Sequence, residues 1–118
     1  MFNRMVEHRT DLDAVFGALA DPTRRAILAT LAEGEASVGQ LADKFPISLN
    51  GVSKHVRVLE QAGLIVRDVQ GRQHNLRIDA KPLEDAAGWL VRYRAFWESR
   101  LDALERLIKA RKRPRRTR

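Results

Sequence analysis

The sequence predicts a mainly α protein with one small β-hairpin. Three observations carry this. Helix-start signatures recur at Asp21-Pro22, at Ser37-Val38-Gly39-Gln40 and at Ser48. The apolar residues after each recur at helical spacing, and two short runs with β-branched content flank Gln70-Gly71.

The first helix starts near Asp11 and runs through DAVFGALA, with Leu12, Val15, Phe16 and Leu19 on one face. Asp21 then supplies an N-cap, and Pro22 sits at the first helical position, where its missing N–H costs nothing. This second helix buries Ile27, Leu28 and Leu31 and stops at Gly34. The Ser37/Gln40 capping box opens a short third helix to about Phe45, with Leu41 and Phe45 facing inward. Pro46-Ile47 makes a turn and Ser48 caps a fourth helix. On a helical wheel Val52, Val56 and Leu59 fall within about 60° of one another. Asn50, Lys54 and Arg57 lie opposite, with Ser53 at the edge of that outer face and His55 at the boundary of the core. Ala62-Gly63 ends the helix, and LIVRDVQ and RQHNLRID form the hairpin. Pro82 opens a last helix of about 28 residues, roughly 42 Å long. Along it Leu90, Tyr93, Trp97, Leu101, Leu104 and Ile108 form a stripe flanked by Trp89 and Phe96.

At 118 residues the chain holds one core, expected over residues 1–108. The basic segment 109–118 has no apolar periodicity and is expected to be disordered. That segment carries seven Lys/Arg and no acid, so the net charge of +7 belongs to it, and the remaining 15 basic residues are matched by 15 acidic ones. The neutral body is still polarised. Residues 48–77 hold five basic side chains against two acidic, concentrating positive charge on the fourth helix and hairpin, where phosphates need it.

Several classes are excluded or disfavoured. The chain has no cysteine, hence no disulfide, thiolate metal site or cysteine nucleophile. No nucleophile–base pair or metal-ligand spacing is present, so neither catalysis nor a cofactor is expected. MFNRMVEHRT lacks the apolar segment of a secretory signal, and the longest uncharged stretch, Phe45 to Ser53, is less than half a membrane span. A cytoplasmic protein without membrane contact is expected.

A capped helix that exits straight into a basic hairpin is the arrangement of a winged helix-turn-helix, with the helix for the major groove and the hairpin for the flank. ALADPTRRAIL, then LADKFPISLNGVSKHVRVLEQAGLI, then a Gly-Arg hairpin, resemble the ArsR family of bacterial winged-helix repressors over roughly residues 11–80. WLVRYRAFWESRLDALERL is similar to a subgroup with a long, Trp-rich last helix. The resemblance implies homodimers that dimerise through the first and last helices and repress their own operon. Metal sensors of that family carry Cys-Val-Cys where this chain has Ser37-Val38-Gly39, and a second ligand set with His on the last helix, where no His follows His74. No metal site is therefore expected.

The expected partners are double-stranded DNA, as a pseudo-palindromic operator, and a second copy of the chain. The DNA set comprises Ser48, Asn50, Ser53, Lys54, His55 and Arg57 of the fourth helix and Arg72, Gln73 and His74 of the hairpin. Asn50 suits adenine edges, Ser53 base or phosphate, and the cations phosphate or base edges. His55 suits packing or a phosphate better than a base. Arg24 and Arg25 fit either a phosphate contact or a pair with Asp21. The dimer set comprises Leu12, Phe16, Trp89, Leu90, Tyr93, Phe96, Trp97, Leu101, Leu104 and Ile108. Its aromatic members fit a dimer core better than a small-molecule pocket, and an inducer, whether organic ligand or protein, would act there. Two rivals stay open: a chromosome-coating protein that binds any duplex, and a winged helix that docks another protein and no DNA.

Overall fold

Side-chain caps set where the helices begin. The computed structural model describes residues 10–116, with side chains through Arg111; the N-terminal signal expectation falls almost wholly on residues outside this range. Asp11 accepts from the Ala14 N–H at 3.0 Å and opens α1 (Leu12–Leu19). Asp21 accepts from the Arg24 N–H at 3.0 Å and opens α2 (Pro22–Ala32). Both halves of the capping box form at α3 (Val38–Lys44). The Gln40 N–H donates to Ser37 Oγ at 3.1 Å, and the Ser37 N–H to Gln40 Oε1 at 2.8 Å. Ser48 Oγ accepts from the Gly51 N–H at 3.0 Å and opens α4 (Leu49–Gln61).

The end of α4 is equally specified. Leu64 N–H donates to the Leu59 carbonyl at 3.0 Å and Gly63 N–H to the Glu60 carbonyl at 2.9 Å. This is the Schellman pattern, with Gly63 at φ 80° and a buried Leu59–Leu64 pair beneath it. The chain therefore turns sharply out of the helix into a strand.

Three antiparallel strands follow the order β1-β3-β2, formed by Ala36–Ser37, Ile65–Gln70 and Gln73–Ile78. The hairpin pairs Ile65 with Ile78, Arg67 with Leu76 and Gln70 with Gln73. Its loop is Gly71-Arg72, one residue later than the sequence suggested. Gly71 has φ 64° and Arg72 is not positive, the pattern of a type II′ turn, which matches the twist of the flanking strands. The two-residue β1 was not expected; Ala36 pairs with Leu76 and Ser37 with Asn75. It ties the start of α3 to the hairpin's second strand.

The core is built by α1–α4, the sheet and the first turns of the last helix, which contribute Leu83 and Ala86. Val15, Ile27, Leu41, Val52, Val56, Leu59, Leu64 and Leu76 are fully buried. Phe45, Leu12 and Phe16 are half-buried and pack against this cluster. The chain divides into two compact units, one ending at Ala86 and one beginning at Ala87. α5 (Ala80–Arg116) starts before Pro82, which sits in its first turn, and continues into the basic segment as far as Arg116.

In the second unit, Leu90, Val91, Leu101, Leu104 and Leu107 of α5 each expose half or more of their surface. Trp89 and Tyr93 stack with centroids 4.7 Å apart, Trp97 meets Tyr93 and Phe96 edge-on, and the Arg100 guanidinium lies 3.7 Å from the Phe96 centroid.

Candidate nucleic-acid interface

α3, the Phe45–Ser48 turn and α4 form a helix-turn-helix, and the amphipathicity of α4 decides what it presents. Val52, Val56 and Leu59 are fully buried, which turns Asn50, Lys54 and Arg57 outward, all exposed. Ser48 is exposed while its hydroxyl caps the helix. Ser53 is half-buried on the side toward the hairpin.

A three-residue network joins α4 to the hairpin. Arg67 on β2 donates from Nη2 to Glu60 Oε1 at 2.8 Å and from Nε to Glu60 Oε2 at 3.0 Å. Its Nη1 lies 3.0 Å from His74 Nδ1 on β3. Arginine has only donors, so Nδ1 can take part in this contact only as the acceptor. The Arg67 guanidinium holds the Glu60 carboxyl below the usual carboxylate range, and Glu60 in turn raises Arg67. The sequence reading missed Glu60 and Arg67. They lie seven positions apart across a helix end, a turn and a strand, and no local periodicity links them.

Between α3, α4 and the hairpin lies an open groove of about 530 Å³. Ser37, Val38 and Gly39 form one wall, Leu49 and Ser53 the floor along α4, and Arg67, Arg72, Gln73 and His74 the wing side. Four expected DNA contacts, Ser53, Arg72, Gln73 and His74, are thereby brought together. Asn50, Lys54 and Arg57 lie off this groove, on the outer face of α4. Leu49 was not among the expected contacts, yet it is exposed at the first position of α4.

His55 is drawn elsewhere. Its Nδ1 lies 3.4 Å from Arg24 Nη1 and 3.9 Å from Asp21 Oδ2. Arg24 donates to the Ala18 carbonyl at 2.7 Å and the Gly17 carbonyl at 3.1 Å, and Arg25 to the Leu19 carbonyl at 2.7 Å. Both arginines thus cap the C-terminus of α1, a role the sequence reading did not foresee. The Arg24 backbone N–H, with His55 and Arg24 charge behind it, lowers the Asp21 carboxyl.

No group of three His, Asp or Glu among the described residues could hold a metal ion, and no described helix is long and apolar enough to cross a membrane. The site is a surface of donors and cations on a helix and a β-wing whose inner faces pack into one core.

This geometry defines a winged helix-turn-helix protein. Residues 19–68 match a family model described as a helix-turn-helix domain. The chain is 33% identical to the transcriptional repressor SdpR of Bacillus subtilis, over 70% of this chain and 91% of SdpR. It superposes on an ArsR-like transcriptional regulator from a Rhodococcus species with a TM-score of 0.71 and 34% identity, covering 81% of this chain and 91% of that one. A homodimeric winged helix-turn-helix DNA-binding domain from Mycobacterium bovis matches with a TM-score of 0.55 and 28% identity, over 73% and 77% of the two chains. The chain belongs to the ArsR family of winged helix-turn-helix transcriptional regulators.

Proposed function

We propose that the protein is a homodimeric, sequence-specific DNA-binding repressor of its own operon, acting in the cytoplasm and without catalysis. The observation that carries this reading is the outer face of α4, where Asn50, Lys54 and Arg57 stand exposed beside a wing bearing Arg72 and Gln73. Repression is the role of SdpR, and the Mycobacterium bovis domain is a homodimer. Two copies related by a dyad would set two α4 helices into successive major grooves, about 34–36 Å apart on a pseudo-palindrome. Leu12 and Phe16 of α1, with the apolar stripe of α5, supply the dimer surface. The basic residues from Lys109 onward add sequence-independent affinity, because each neutralised phosphate releases counterion.

Cysteine-based sensing has no residues to use in this chain. An inducer, organic ligand or partner protein, would act on the aromatic segment of α5.

The test is fluorescence anisotropy of the full chain with DNA from upstream of its own gene, against scrambled duplex, at physiological salt. A preference of about a hundredfold or more is expected, a threshold set below the roughly thousandfold at which typical specific binders begin. Lys54→Ala with Arg57→Ala should weaken binding to both duplexes and flatten its salt dependence. Absence of measurable affinity for either duplex would favour a protein-docking role instead. Equal, measurable affinity for both duplexes, largely lost when residues 109–118 are removed, would favour non-specific coating of DNA.

A further inference from the structure

We propose that Leu49 reads a thymine in the operator through its C5-methyl group; this rests on the reading that α4 enters the major groove. Leu49 is the first residue of α4 and is 56% exposed, whereas Val52, Val56 and Leu59 of the same helix are fully buried. Among the described residues up to Ala86, the other large apolar side chains left exposed are Val58 at 36% and Val69 at 56%. The unit otherwise buries its large aliphatic side chains wholly or in part, so a leucine in the open at this point gains little from the fold itself.

Its position gives the exposure a use. In a helix-turn-helix the N-terminal residues of the second helix reach the base edges. Side chains on a helix lean toward its N-terminus, so a residue at the first position projects beyond the helix end. Leu49 therefore leads α4 into whatever that helix enters. It shares its groove with Ser53 one turn along, with Val38 on one wall, and with Arg72, Gln73 and His74 on the far side.

Of the four bases in the major groove, only thymine presents a methyl group. A leucine can bury that methyl, and it can satisfy no donor or acceptor, so it disfavours cytosine, whose amino group would lose water without gaining a partner. Asn50, the next residue, carries the amide that pairs with N6 and N7 of adenine. Adjacent on the helix, the two residues favour an A·T-rich contact at the leading end of α4.

The experiment begins by selecting a preferred duplex from a randomised pool with the full chain. Each thymine of a half-site is then replaced in turn by dU, which removes only the methyl group. Kd is measured for wild type and for Leu49→Ala on every duplex. One dU position should weaken wild type roughly fourfold, the value of about one buried methyl group. Leu49→Ala should bind the thymine and dU versions of that site alike, and Leu49→Met should restore the discrimination. Comparing both proteins on the same duplex cancels any effect of dU on DNA shape. Because Leu49 is exposed, Leu49→Ala should melt with wild type, so a loss of discrimination is not a loss of fold. If no dU position separates wild type from Leu49→Ala, the inference falls while sequence reading stands. If no sequence is enriched, the inference falls together with the reading beneath it.

Discussion

Arg67 on β2 and Glu60 near the end of α4 form a two-point ion pair at 2.8 and 3.0 Å, and the same guanidinium reaches His74 on β3. One side chain thus braces both strands of the wing against the helix that carries Asn50, Lys54 and Arg57. Two-point Arg–carboxylate geometry fixes orientation as well as distance. The pair sets the angle between α4 and the wing.

Breaking that pair should therefore cost binding more than stability. Only about a quarter of either side chain is exposed, so Arg67→Ala should lower unfolding free energy by about 1 kcal/mol in urea titrations. A Glu60→Gln/Arg67→Ala cycle should show coupling of similar size. Arg67→Lys keeps the charge but loses the fork. It should keep most of the stability while weakening operator binding, measured by anisotropy. Equal operator affinity in Arg67→Lys and wild type would show that the brace does not orient the wing.

Acid should destabilise the fold. Asp21, Glu60 and Asp85 are each held below the usual carboxylate range, chiefly by the Arg24 backbone N–H, the Arg67 guanidinium and the Thr10 hydroxyl. As pH falls the unfolded chain takes up these protons first. Their stabilisation is complete above the unfolded pKa values of about 4 and is lost as pH drops through the lower folded values. Urea midpoints should be level from neutrality to about pH 5 and fall below it. Glu60→Gln removes one of the three contributions and should make the acid limb shallower. A midpoint that rises on acidification would contradict the assignment.

The same change, glycine to alanine, should have opposite signs at two positions. Gly63 sits at φ 80° in the Schellman turn, and an added Cβ there would meet Pro82 Cγ at an ordinary 3.6 Å. The cost is backbone strain, about 1–2 kcal/mol. Gly88 is inside α5, where a Cβ would meet the flexible end of Arg92 at 3.5 Å. Gly88→Ala should gain about 0.5–1 kcal/mol. Thermal melts of both variants check the pair. A stable Gly63→Ala would mean the turn accepts another conformation.

What was legible in the sequence was local. Asp11, Asp21, Ser37 and Ser48 act as caps within three or four residues of their partners, so four helix starts could be read directly. The outward face of α4 followed from the 3.6-residue period. What was missed depends on contacts far apart in the chain. Strand β1 exists only because Ala36 and Ser37 meet Leu76 and Asn75. The Glu60–Arg67–His74 network needs the hairpin folded back onto α4. The arginines at α2 were weighed for phosphate or Asp21, but cap α1 through carbonyl oxygens that carry no side-chain signal. The hairpin turn was displaced by one residue because Gly71 can serve at either central position of a tight turn.

The apolar side of α5 should be the seam of a dimer. Tyr93, Phe96, Trp97, Leu101, Leu104 and Ile108 are all exposed in the single chain, along a helix of 37 residues. Contiguous apolar surface on this scale is uncommon on monomers, and the stripe recurs at spacings of three and four, as a helix–helix seam requires. Leu101→Glu would place a carboxylate in that seam without a partner, costing association about 2 kcal/mol or more. Light scattering at micromolar concentration should report two chains for wild type and a shift toward one for Leu101→Glu. Operator affinity should fall in parallel, because a lone α4 engages one half-site without its tether. The variant should retain wild-type helix content by circular dichroism, since Leu101 is not part of the core. A wild-type protein that scatters as one chain would remove α5 as a dimer seam and leave its aromatic face for another partner.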